Sequence, residues 1–219
     1  MELSYWESRW NNDKTGFHMQ EGYESLRAHW PSLNLPPEPN VLVPLCGKSL
    51  DMLYLKDQGA NVTGIEISEK AIKSFFIENG LEFEISHYSD FTIYTSGNIH
   101  LWQGDFMKFP KSKANFHLIY DKAALVALPP EKRASYASKL LELTHSDTLI
   151  LLHHFIYPQD EMTGPPFSVD TSEVNKHFSS HFSSNLLEEN QIPSKQFVPF
   201  RRRGLRSPIT ERLLLLEPR

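Results

Sequence analysis

The chain has 219 residues, 40% apolar and 12% aromatic, with a formal net charge of −5 and 10 histidines. These proportions suit one folded domain of ordinary size and exclude a disordered chain, and an acidic balance with no strongly basic half argues against a dedicated nucleic-acid binder. The lone cysteine, Cys46, excludes an intrachain disulfide, no apolar run approaches the ~20 residues of a bilayer span, and the first residues lack the basic-then-apolar order of a signal peptide; a cytoplasmic monomer with no membrane contact is expected.

Residues 1–30 carry Tyr5, Trp6, Trp10, Phe17, Tyr23 and Trp30 at roughly helical spacing, which predicts two short helices around a turn at 11–16. Prolines between 31 and 39 make a connector without helix potential. From residue 40 the pattern alternates. A strand at 40–43 precedes a helix at about 49–58 and a strand at 61–66, and Ser68 caps a helix that runs to about Asn79, with Gly80 after it. Period-2 runs in 82–103 surround a turn at 95–98. Residues 116–120 read as a buried strand, Pro129 and Pro130 open a helix to about Leu143, and 148–155 read as a fully buried strand. A proline-containing loop at 157–169, long enough to suspect function, leads to a helix at 171–179 and strands near 184–188 and 210–216. Strands alternating with helices predict an α/β fold with a mostly parallel sheet covered on both faces.

The stretch Val41-Leu-Val-Pro-Leu-Cys-Gly-Lys-Ser49 and the acid Glu66 form a strand–loop–helix–strand unit. An acid closing the second strand can take both hydroxyls of a ribose. The loop has one glycine, Gly47, where a dinucleotide fingerprint has three, so close approach of a diphosphate is not provided for. Nor is it a triphosphate loop, because Leu42 stands where that motif needs its first glycine. S-adenosyl-L-methionine, a nucleoside without a diphosphate, fits these restrictions.

Other candidates lie at the expected carboxyl ends of strands. Asp105 can accept from an adenine amino group while Phe106 packs on the ring. Asp121 and Lys122 close the strand at 116–120; the acid also suits a helix cap, and a cation there can hold an anionic acceptor, so the two are the candidate catalytic residues. Cys46 suits a small buried filler better than a nucleophile. His177 and His181 have helical metal-ligand spacing but no further ligand cluster, so no metal site is expected. The basic run at 201–206 suits a loop over the active site better than a nucleic-acid contact.

At these residues the chain resembles the thiopurine S-methyltransferase family, close to its bacterial members, over nearly its whole length. The resemblance rests on Trp6-Glu-Ser-Arg-Trp10, Thr15-Gly-Phe-His18, the 41–49 stretch, residues 120–130 and Gly164-Pro-Pro-Phe-Ser-Val169. It implies one Rossmann-like class I methyltransferase domain over 1–219, with a seven-stranded sheet whose last strand is antiparallel and residues 1–39 covering the active site. It also implies that Trp6, Trp10, Leu45, Glu66, Asp105, Phe106 and Lys122 contact S-adenosyl-L-methionine, that Phe17 sits against the acceptor, and that Arg201 or Arg202 matches a C-terminal arginine of the family. In that family an arginine commonly stands where this chain has Lys122, so a guanidinium fork is exchanged for a point charge.

The implied chemistry is in-line transfer of the methyl group to the sulfur of a thiopurine or related thiol, leaving S-adenosyl-L-homocysteine. A detoxifying methyltransferase for selenium, tellurium or small thiols uses the same site. A non-catalytic nucleoside- or RNA-binding protein is the alternative from another class, and a nicotinamide-dependent oxidoreductase is disfavoured by the single glycine.

Overall fold

The computed structural model describes residues 3–219. Helices α1 (Leu3–Asn11) and α2 (Glu24–His29) come first, joined by an irregular stretch longer than the predicted turn. Strand β1 (Asn40–Pro44), helix α3 (Asp51–Asp57), strand β2 (Asn61–Glu66) and helix α4 (Glu69–Glu78) follow as the sequence predicts. The Ser68 hydroxyl accepts from the Ala71 backbone N–H at 3.2 Å, and Gly80 ends the helix at φ +65. Next come β3 (Glu84–Tyr88), β4 (Phe91–Ser96), β5 (Ile99–Gln103), β6 (Leu118–Lys122), α5 (Pro130–Glu142) and β7 (Leu149–Ile156). Helix α6 (Thr171–Phe178), β8 (Phe182–Ile192), α7 (Val198–Arg202) and β9 (Ile209–Pro218) complete the chain.

The strands form a nine-stranded mixed sheet in the order β3-β4-β5-β2-β1-β6-β7-β9-β8, which corrects the expected count of seven. The difference is the β3–β4 hairpin. Residues 84–103 fold into three antiparallel strands with two tight turns, Tyr88 pairing with Phe91 and Ser96 with Ile99. The predicted turn at 95–98 joins β4 to β5, and β3 lies on the first period-2 run; the turn between Tyr88 and Phe91, which sets β4 apart, is not predicted, because every residue of β3 is exposed and its alternation marks no core face. The last strand, β9, is antiparallel to both β7 and β8. Strand β8 is longer than predicted because its outer stretch is polar and exposed, with a bulge between Leu186 and Glu188.

The chain divides into two compact units, Met1–Tyr120 and Asp121–Arg219. In the first, β1 and β5 pair parallel with β2, and Val41, Leu42, Val62, Ile65, Ile99 and Leu101 are fully buried. Met52 and Leu55 from α3 and Ile72, Phe75 and Phe76 from α4 cover them. A Cβ on Gly64 would lie 2.6 Å from Leu101 Cδ2 and 2.8 Å from Cys46 Sγ, so β2 has no room for a side chain there. In the second unit, Ile150, Leu151 and Leu152 of β7 and Leu213, Leu214 and Leu216 of β9 are buried, with Tyr136 and Leu140 of α5 and Val174 and Phe178 of α6. No helix among the described residues is long and apolar enough to cross a membrane.

Candidate functional site

In the first unit, β2 ends at Glu66, which is only 5% exposed. Its Oε2 accepts from the Gly47 N–H at 2.9 Å and its Oε1 from the Ser68 N–H at 2.8 Å. Burial pushes the carboxyl pKa up, the backbone N–H groups of Ser68, Gly47 and Ile67 pull it back, and the charge of Glu7 raises it again. The result is an acceptor carboxylate pinned at the carboxyl edge of a parallel sheet, where such sheets bind ligands.

The loop before it is tightly built. Leu45 and Gly47 both take left-handed φ, +49 and +53; for leucine that costs on the order of 1–3 kcal/mol and marks a constrained backbone. A Cβ on Gly47 would sit 3.0 Å from Trp10 Cζ2, so the indole lies against the loop. Asp51 holds the other end. It is buried, its Oδ1 accepts from the Tyr23 N–H at 2.6 Å, and its Oδ2 accepts from the Tyr120 hydroxyl at 3.0 Å and the Ser49 hydroxyl at 3.2 Å. Nothing local in the sequence marks Asp51, because its partners Tyr23 and Tyr120 lie 28 and 69 positions away.

Trp10 is buried, Trp6 is half-buried and Phe17 is exposed. Phe17 makes edge-on contacts with both, at centroid distances of 5.3 Å to each. The three predicted aromatic residues are thus brought together, with Trp10 the one that lies against the Gly47 loop. Asp105 and Phe106 follow β5: the Asp105 Oδ1 accepts from the Met107 N–H at 2.9 Å, and Phe106 is buried. Cys46 is buried beneath this loop, and burial followed by the Glu66 charge pushes its thiol pKa well up, which suits a filler and not a thiolate.

In the second unit, Asp121 is fully buried. Its Oδ1 accepts from the N–H groups of Ala124 and Leu125 at 2.9 and 3.1 Å, and its Oδ2 from the Tyr136 hydroxyl at 2.8 Å. Burial raises its pKa to about 6 against those bonds. Lys122 beside it is half-buried, followed by Ala123 at φ +60, so the chain turns sharply after the cation.

Arg201 and Arg202 are exposed on α7. It is Arg203 that reaches the proline-containing loop, donating to the Pro165 carbonyl at 2.7 Å. Around it, Glu161 accepts from the N–H groups of Arg206 and Ser207, and the Tyr157 hydroxyl donates to the Pro166 carbonyl at 2.6 Å. A Cβ on Gly204 would meet the Glu161 carbonyl oxygen at 2.4 Å. His153 and Glu211 are likewise not among the residues that the sequence marks, and two histidines inside the apolar run 148–155 are the available signal. Among the described residues no group of three or more His, Cys, Asp or Glu side chains is placed to hold a metal ion.

The pinned acid closing β2, the constrained single-glycine loop and the antiparallel last strand define a class I S-adenosyl-L-methionine-dependent methyltransferase. Solved structures of that fold agree: a methyltransferase from Anabaena variabilis superposes with a TM-score of 0.67 at 16% identity, covering 99% of this chain and 95% of that one. The 1,6-didemethyltoxoflavin-N1-methyltransferase of Burkholderia thailandensis, with bound S-adenosylhomocysteine, gives 0.64 at 14% identity, covering 98% and 87%. The family model for thiopurine S-methyltransferase matches residues 1–217. The chain is 42% identical over 193 residues to the thiopurine S-methyltransferase of Pseudomonas paraeruginosa strain PA7, covering 88% of each. To that of Nitrosospira multiformis it is 39% identical over 220 residues, covering 100% of this chain and 99% of that one. The chain belongs to the thiopurine S-methyltransferase family, with S-adenosyl-L-methionine as methyl donor.

Proposed function

We propose that this protein methylates the sulfur of small thiopurine-like acceptors, with Glu66 holding the cofactor's ribose and Lys122 serving the acceptor. The observation that carries the reading is the buried Glu66 carboxylate, bonded to Gly47 and Ser68, which gives a diol two oriented acceptor oxygens and gives a diphosphate a repelling charge. Trp6, Trp10 and Leu45 are assigned to the methionine side and the loop contact, Asp105 and Phe106 to the adenine, and Phe17, Arg201 and Arg202 to the acceptor. Bound S-adenosyl-L-methionine supplies an electrophilic methyl group on a sulfonium.

The protein's own task is then alignment and exclusion of water, and positioning of this kind supplies up to ~10 kcal/mol. An ammonium beside the acceptor favours the anionic sulfur by lowering its pKa. Asp121 is a positioning residue in this reading: with its oxygens bonded to Ala124, Leu125 and Tyr136, it fixes the turn that carries Lys122 and does not itself react. The protein acts as a cytoplasmic monomer on a small molecule, in a detoxifying role.

The test is turnover with S-adenosyl-L-methionine across thiopurines, aliphatic thiols, selenite and tellurite, with product masses read directly. S-methylated thiopurine supports the reading. Methylation of selenite or tellurite alone replaces the acceptor.

A further inference from the structure

Gly47-Lys48-Ser49 repeats the end of a triphosphate loop, in which backbone N–H groups cradle phosphate, the lysine reaches it and the hydroxyl holds its metal. Here each of the three residues gives its donor to a carboxylate of the protein. The Gly47 N–H donates to Glu66 Oε2 at 2.9 Å, and the Ser49 hydroxyl donates to Asp51 Oδ2 at 3.2 Å. Lys48 Nζ donates to both oxygens of Glu78, the last residue of α4, at 2.8 and 2.7 Å. Lys48 is the only basic residue between Asn40 and Leu55, so Glu78 takes up the one cation of the loop. The Lys48 side chain keeps 17% exposure and that of Glu78 52%. An ion pair with so exposed a partner adds little to stability. What the pair changes is the local field. Burial lowers the pKa of His18, the Lys48 charge lowers it further, and the Glu78 charge raises it, so the two charges oppose one another at the same group. His18 follows Phe17, whose ring touches Trp6 and Trp10, the residues assigned above to the methionine side of the cofactor.

We propose that Glu78 is a specificity-determining residue for the cofactor: by holding Lys48 it cancels the loop's cation, so that the loop takes a cationic sulfonium nucleoside in preference to neutral or phosphorylated nucleosides. This rests on the reading of the Gly47 loop and Glu66 as the cofactor's site. S-adenosyl-L-methionine carries one positive charge more than S-adenosyl-L-homocysteine, and a nucleoside diphosphate is an anion. An uncancelled Lys48, one residue from Gly47, repels the first and attracts the last. With Lys48 neutralised, the carboxylates set the sign of the field. Glu66 lies at the loop, and the charge of Glu7 reaches it, as the raised Glu66 pKa records. The same field favours the donor over its product, which has to leave after each methyl transfer. Discrimination here comes from removing an attraction for the wrong ligand as much as from adding one for the right ligand.

Glu78→Gln leaves Lys48 uncancelled. Calorimetry at low salt compares three ligands: sinefungin, in which an ammonium stands for the methylated sulfonium; S-adenosyl-L-homocysteine, which lacks that charge; and ADP. In the variant sinefungin binds about three- to tenfold more weakly, S-adenosyl-L-homocysteine changes by less than about twofold, and ADP binds at least about threefold more tightly. Salt at about 0.5 M removes most of these differences. The double variant Lys48→Met with Glu78→Gln lacks both charges, and its ratio of sinefungin to S-adenosyl-L-homocysteine affinity returns to that of wild type. A merely structural pair predicts that the double variant stays impaired. Equal weakening of sinefungin and S-adenosyl-L-homocysteine in Glu78→Gln, ADP binding no tighter than in wild type, or a double variant that keeps the altered ratio overturns the proposal. Wild-type protein that binds neither sinefungin nor S-adenosyl-L-homocysteine removes the reading of the cofactor site and the proposal with it. Wild-type protein that binds both, with the same ratio in Glu78→Gln, removes the proposal alone.

Discussion

The backbone N–H of Gly47 donates to Oε2 of Glu66 at 2.9 Å, across 19 positions of sequence. This bond makes the first loop and the end of the second strand one object. The loop sets the carboxylate's direction, and the carboxylate satisfies an N–H that the left-handed turn at Gly47 exposes. A buried carboxylate with its own backbone donors is costly to place and informative once placed.

Gly64 is the packing position on which that arrangement depends. Gly64→Ala drives a methyl group to within 2.6 Å of Leu101 and 2.8 Å of Cys46, and overpacking of this kind costs roughly 1–3 kcal/mol. Thermal denaturation should show a Tm several degrees lower. An unchanged Tm would mean that β2 has slack that the geometry denies.

Asp51 ties the N-terminal segment to the loop through Tyr23, Ser49 and Tyr120. Asp51→Ala leaves a buried N–H and a buried hydroxyl without their acceptor, each worth about 1–3 kcal/mol. The variant should lose stability and expose residues near Tyr23 to faster amide hydrogen exchange, whereas Asp51→Asn should keep much of both. Equal exchange in wild type and the alanine variant would remove the tether.

Asp121 gives a pH test with a definite sign. Its pKa is raised from 3.8 to about 6 in the fold, so the folded protein holds that proton more tightly than the unfolded chain. Its contribution is fully present below the unfolded value and is lost as pH rises through about 6, an effect approaching 3 kcal/mol at ~1.4 kcal/mol per pH unit. His153, lowered from 6.5 to about 4, acts in the opposite sense: its contribution is present above its unfolded value and is lost as pH falls through about 4. Because the windows overlap, the wild-type curve conceals both. Denaturant unfolding of Asp121→Asn beside wild type isolates the first, and the variant should gain on wild type between about pH 4 and pH 7. Parallel curves would contradict the burial of an ionising Asp121.

What the sequence makes legible is local. The Ser68 cap, the Gly80 stop and the Pro129-Pro130 helix start are short-range chemistry, and each lies where the residues predict. Glu66 is legible because an acid closing an apolar strand is uncommon. Long-range pairings are not legible: Glu211 finds His153 across 58 positions, and neither belongs to a motif. The period-2 pattern of 82–103 and its turn at 95–98 are legible, but the turn between Tyr88 and Phe91 is not, because every residue of β3 is exposed and carries no burial pattern. Arg203, not its neighbours Arg201 and Arg202, bonds the Pro165 carbonyl; a run of arginines does not say which one reaches across to the proline-containing loop.

Gly204 keeps that last segment closed. Gly204→Ala brings a Cβ to 2.4 Å from the Glu161 carbonyl oxygen at a φ of +118, which disfavours any side chain. Limited proteolysis should then cut between residues 157 and 207 faster than in wild type. Identical cleavage rates would show that Glu161, Ser207 and Arg203 hold the segment without it.

The most direct measurement is calorimetric titration of S-adenosyl-L-homocysteine into wild type and Glu66→Gln. The substitution keeps the side chain's size and one acceptor oxygen, but removes the charge to which the ribose hydroxyls are assigned. The predicted result is saturable binding to wild type and an affinity lower by about ten- to a hundredfold in the variant, the value of one or two charge-assisted hydrogen bonds. Equal affinity for the two proteins would contradict the assignment of Glu66 to the ribose.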